Sequence, residues 1–75
     1  MEAFDIQNRI FERIKQQLPS TVSFVDELAF QLDISNDSAY RRIRGEKMLT
    51  LEELAKLGSA YHLSFDSLVQ NELNN

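Results

Sequence analysis

Residues 36–47, Asn-Asp-Ser-Ala-Tyr-Arg-Arg-Ile-Arg-Gly-Glu-Lys, concentrate the side chains able to bind an anion or read a hydrogen-bonding edge. Three of the chain's five arginines stand here, Arg41, Arg42 and Arg44, and Lys47 follows. Arginine presents a planar fork of donors that matches phosphate oxygens or the O6 and N7 edge of guanine. Asn36 offers the donor–acceptor pair that matches adenine. Lys47 supplies a point charge suited to phosphate. Between Tyr40 and Lys47 the local charge is +3, four cations against Glu46. Asp37 is discordant, because phosphate repels a carboxylate. It fits if it accepts from cytosine N4, orients Arg41, or simply favours the positive end of its own helix.

Other chemistries find little support. Nothing resembles a nucleophile with an orienting base, a glycine-rich phosphate loop or a metal-ligand cluster, so neither an enzyme nor a cofactor is expected. There is no cysteine, which removes disulfides and thiolate metal sites. His62, the single histidine, lies near an expected helix end and reads as a cap or surface residue. Arg9 and Arg13 read as a solvated or ion-paired face.

Seventy-five residues make one domain with a thin core. The net charge is −4 and unevenly spread. Residues 1–47 hold seven Lys/Arg and eight Asp/Glu, whereas residues 48–75 hold one and four. A basic patch on an acidic body still docks on phosphate, although the body repels nucleic acid at longer range. No apolar run reaches the ~18–20 residues of a membrane span, and no signal-peptide pattern opens the chain, so a cytoplasmic protein is expected.

The elements that position the basic stretch are helical. Ile6, Ile10, Phe11, Ile14 and Leu18 recur at three- and four-residue spacing, predicting a helix over about 3–17 that Pro19 stops. Ser23 begins a second helix, about 24–32, with Asp26 placed to complete a capping box. Phe24, Val25, Leu28, Ala29 and Leu32 form its buried side. Asp33 stands where a left-handed residue, usually glycine, ends a helix. Ile34 plugs the turn, and Ser35 caps a third helix, about 36–44, with Ala39 and Ile43 inward. Arg42 is open between a phosphate contact and a stem on the core edge whose charge reaches a nearby acid. Tyr40 is open between groove contact and packing against the first helix. Gly45 terminates the third helix. Thr50 and Glu53 make a capping box for a fourth, about 51–61, with Leu51, Leu54, Ala55 and Leu57 inward. Ser64 caps a fifth, about 65–72.

The ordered series Leu28-Ala29, Ile34-Ser35, Arg44-Gly45-Glu46-Lys47, Thr50-Leu51-Glu52-Glu53-Leu54 and Leu63-Ser64 resembles the lambda-repressor-like family. More narrowly, it is similar to the Xre-type helix-turn-helix domains of bacterial and phage regulators. The likeness covers about Phe24 to Leu68. It implies an all-α, compact five-helix bundle, often dimeric on operator DNA, whose third helix enters the major groove. By position, base-edge candidates are Asn36, Asp37, Tyr40 and Arg41, and phosphate candidates are Arg44 and Lys47. Three departures stand out: Asp33 replaces the turn glycine, Phe24-Val25 replaces a polar pair that touches phosphate, and Leu49 replaces a proline.

The expected function is therefore sequence-specific binding of double-stranded DNA by a nucleoid-associated transcriptional regulator. The rival is an acidic helical protein-interaction module, or antitoxin-like partner, that keeps the fold without specific DNA binding. A homodimer through Val69 and Leu73, and fusion to a carboxyl-terminal effector domain, are further expectations.

Overall fold

The computed structural model describes residues 2–64. Four helices, α1 (Ala3–Gln17), α2 (Phe24–Leu32), α3 (Asn36–Ile43) and α4 (Leu51–Tyr61), account for the secondary structure there, with no strand among the described residues. The architecture is all-α. The expected fifth helix, with Val69 and Leu73 of the expected dimer surface, lies outside the described residues.

The helix starts follow from local side-chain chemistry. Ser35 Oγ accepts from the N–H of Ser38 at 3.1 Å, satisfying a donor that the first turn of α3 leaves without a partner. Thr50 and Glu53 close a reciprocal capping box on α4, with bonds of 3.1 and 3.0 Å. At α2, Ser23 Oγ accepts from Asp26 N–H at 3.4 Å. The expected return bond from the Asp26 side chain is replaced by another contact: Asp26 Oδ1 accepts from Asn36 Nδ2 at 2.7 Å. Aspartate is one methylene shorter than the glutamate of a full box, and Asn36 offers a nearer donor.

The helix ends share one closure. Asp33, Gly45 and His62 all have positive φ, at 56°, 84° and 54°. After each, an N–H reaches a carbonyl five residues back: Ile34 to Ala29 at 3.0 Å, Glu46 to Arg41 at 2.9 Å and Leu63 to Gly58 at 3.1 Å. These bonds close the last turn, and the Ala29 and Gly58 carbonyls also accept from the C-cap N–H groups of Asp33 and His62. α3 is therefore one residue shorter than the spacing suggests, with Arg44 as its helical C-cap. Gly45 is also held sterically, because a Cβ there would fall 2.5 Å from Phe4 Cε1.

The core joins Ile10, Phe11 and Ile14 of α1 to Leu28, Ala29 and Leu32 of α2, Ala39 of α3, Leu49, and Leu57 and Tyr61 of α4. Phe24 meets Phe11 edge-on at 5.5 Å between ring centroids. Two inward placements on α4 are corrected. Leu51 is 85% exposed. It is the first helical residue and its side chain is directed back beyond the helix start, whereas Leu54, three residues on, packs against the core. Ala55 is exposed too, since it lies about 200° around the helix from buried Leu57.

Candidate nucleic-acid interface

α3 carries two faces with different tasks. Ala39 is wholly buried and Arg42 is 5% exposed, so these two residues hold the helix to the body. The guanidinium of Arg42 donates from Nε and Nη2 to the two carboxylate oxygens of Glu53, at 3.0 and 2.9 Å, and from Nη1 to the Ser38 carbonyl at 2.9 Å. This fork-to-fork geometry is the strong form of the arginine–carboxylate pair. It settles the open reading of Arg42: the residue anchors α3 to α4 and presents no charge to a ligand.

Burial alone would raise the carboxyl pKa of Glu53. The hydrogen bond from Arg42, the Thr50 N–H and the charges of Arg42 and Lys47 outweigh it and hold the group below its ordinary value.

Gln7 completes the anchorage. It is buried on α1, donating from Nε2 to the carbonyls of Arg42 (2.9 Å) and Lys47 (3.1 Å) and accepting at Oε1 from the N–H of Leu49 (2.7 Å). One amide thus satisfies three backbone groups at the end of α3 and in the following loop, where Lys47 sits. The sequence reading passed over Gln7, although a signal existed. Gln7 precedes Ile10 and Phe11 by three and four residues, on the apolar stripe, where an uncharged polar residue must find internal partners.

A second tie holds α2 against α4. Tyr61 donates its hydroxyl to Glu27 at 3.1 Å, Gln31 donates to the same carboxylate oxygen at 3.2 Å, and Gln17 of α1 donates to the Tyr61 carbonyl at 2.9 Å. Burial, then the charge of Glu27 and its hydrogen bond, push the Tyr61 phenol up to about 12.

The opposite face of α3 is exposed and contains the expected contact residues. Asn36, Asp37, Tyr40, Arg41 and Arg44 follow one another at helical spacing along it, and Lys47 is exposed just beyond. Their partners were not all foreseen. Asn36 is tied to Asp26, joining the amino-terminal ends of α3 and α2. Arg41 pairs through Nε with Asp37 Oδ2 at 3.3 Å, so Asp37 does orient that arginine. Arg44 pairs through Nη2 with Glu46, and its guanidinium lies 4.9 Å from the centroid of the Tyr40 ring. Tyr40, half exposed, is the platform on which Arg44 rests. Three of the four cations of the basic patch thus stand in arginine–carboxylate pairs, one internal and two on the surface, and Lys47 is exposed beyond them. Among the described residues no cluster of potential metal ligands occurs.

α3 is thus a framed helix with an exposed polar face, preceded by a tight turn and a supporting helix. The family profile of the BetR domain matches residues 5–75. The chain belongs to the BetR domain family. This BetR domain is a helical, helix-turn-helix-like domain of the kind found in regulators. No curated protein and no solved structure matches it, so the narrower Xre-type and lambda-repressor likeness rests on sequence motifs. No described helix of this BetR domain is long and apolar enough to cross a membrane.

Proposed function

We propose that this BetR domain is the sequence-specific DNA reader of a transcriptional regulator, non-enzymatic, with α3 lying in the major groove. The observation that carries the reading is the division of labour on α3. Ala39 and Arg42 fasten one face, while Asn36, Asp37, Tyr40, Arg41 and Arg44 are left on the other. A rigidly held helix with exposed polar side chains is what base readout requires. In this reading Arg41 addresses a base edge. Asp37 holds it at Nε, and an end-on contact with guanine uses the two Nη atoms. Arg44 and Lys47 flank the groove and address phosphate.

Selection of bound duplexes from a random pool, followed by affinity against salt, tests the proposal. A selected motif and affinity falling steeply with salt are expected. Arg41→Ala should change the preferred sequence, whereas Lys47→Ala should weaken all duplexes alike.

A second reading is supported by one specific observation: all three arginines of residues 40–47 face carboxylates, on a chain of net charge −4. That favours an acidic protein-interaction module. It predicts that no motif is enriched and that duplex binding is absent even at low salt.

A further inference from the structure

The two surface carboxylates on the arginines of the candidate interface call for an account. Asp37 sits on Arg41, with side chains 58% (Arg41) and 75% (Asp37) exposed, and Glu46 sits on Arg44 at 53% (Arg44) and 52% (Glu46). Neither pair is needed for burial, because solvent reaches all four groups. Both stand on the face that would meet nucleic acid, where a carboxylate is repelled by phosphate. Fold anchorage explains Glu53; Asp37 also stands in the first turn of α3, where a negative charge suits the helix dipole, but neither role accounts for carboxylates placed on both surface arginines.

We infer that Asp37 and Glu46 are specificity-determining residues that suppress non-specific duplex binding by occupying the arginines of α3. The inference rests on the DNA reading above and deepens it. Non-specific affinity comes almost entirely from cations that neutralise phosphates and release condensed counterions. An arginine already paired releases fewer, since its carboxylate must be displaced or carried toward the phosphates. A cognate site overcomes this through base contacts that a random duplex lacks. Specificity is then raised by penalising the wrong partner as well as by favouring the right one.

The two pairs act differently. Arg41 is held at Nε, which leaves its end fork for guanine, so Asp37 screens the charge of a reader while keeping it oriented. Arg44 is held at Nη2, on the fork itself, and rests over Tyr40, so Glu46 competes directly with phosphate for that fork.

The test compares Asp37→Asn and Glu46→Gln with Glu12→Gln, which removes the same charge from α1, where Glu12 pairs with Lys15. Affinity for the selected duplex and for a scrambled duplex is measured by fluorescence anisotropy across a salt series, on chains whose folding is checked by circular dichroism. The expected result is a gain of about 3-fold or more for scrambled DNA in both interface variants, with a log–log salt slope steeper by about one for Glu46→Gln. The selected-to-scrambled ratio should fall in both, and Glu12→Gln should change neither quantity comparably. If wild-type DNA binding is present and Glu12→Gln raises scrambled affinity as much as the interface variants do, the effect is general charge and the inference is overturned alone. Unchanged scrambled affinity in both interface variants overturns it equally. Wild-type protein that binds neither duplex at low salt overturns the DNA reading together with the inference.

Discussion

Arg42 and Glu53 face each other fork to fork across the junction of α3 and α4, with side chains only 6% and 12% exposed. Removing one partner of such a pair leaves a buried charge without compensation, at a cost of about 3–5 kcal/mol. A domain of this size has a total stability of roughly 4–11 kcal/mol. Glu53→Ala, which also removes the acceptor of the Thr50 cap, should therefore leave the chain close to unfolding at ambient temperature. The joint replacement Arg42→Met with Glu53→Leu should retain more stability than Glu53→Ala, because it leaves no orphaned charge. Urea denaturation followed by circular dichroism checks both.

Gln7→Leu preserves the volume on the α1 stripe but takes the partner from the Lys47 carbonyl and the Leu49 N–H, while the Arg42 carbonyl keeps its bond from Gly45 N–H. A loss of about 2–3 kcal/mol is expected. The change should be local as well as global: hydrogen exchange at the Leu49 amide should accelerate more than at amides in the middle of α1.

The pH profile of stability should have two descending arms. Glu53 has a folded pKa below its ordinary 4.5, so its contribution is present above that value and is lost as pH falls through the folded pKa. Tyr61 has a folded pKa of about 12 against 10.0, so the unfolded chain loses that proton first. Its contribution is present below pH 10.0 and is lost as pH rises towards about 12. Tyr61→Phe should flatten the alkaline arm and leave the acid arm in place, as read from midpoint temperatures across a pH series.

Gly45→Ala meets two obstacles at once, a φ of +84° and the Phe4 ring 2.5 Å from the new Cβ. Where a native φ is positive, adding a Cβ destabilises by more than the ~0.4–1 kcal/mol that such a change contributes at permissive sites. Calorimetry should show a midpoint several degrees lower for Gly45→Ala. Phe4→Ala together with Gly45→Ala should relieve the clash and keep the backbone strain.

What was legible in the sequence was local. Ser35 and Thr50 lie three residues from the groups they cap, and Ile10, Phe11 and Ile14 repeat with the helix period, so helix starts and the buried face of α1 could be read directly. Asp33 as a left-handed cap was legible from the requirements of a helix end. The network behind α3 was not. Arg42 had several acids within conceivable reach, and only the packing of α4 on the turn selects Glu53. Gln7 finds partners 35 to 42 residues away. Leu51 misled because its periodic position is apolar although, among the described residues, its side chain is left 85% exposed. The patch charge of +3 subtracted Glu46 and left out Asp37, and a sum of charges does not show that these acids stand two and four residues from the arginines they pair with.

The bonds of Gln7 also bear on the order of assembly. Ser23, Asp33 and Ser35 act within a few residues, so α2, the turn and the start of α3 can form at the cost of small loops. The Gln7 contacts must close loops of 35 to 42 residues, and contacts of that separation carry a larger entropic barrier. Docking of α1 is therefore predicted to follow formation of the α2–α3 pair. Until it occurs, the end of α3 and the loop bearing Lys47 remain loose, so the exposed face would gain its final alignment only in the last stage of folding.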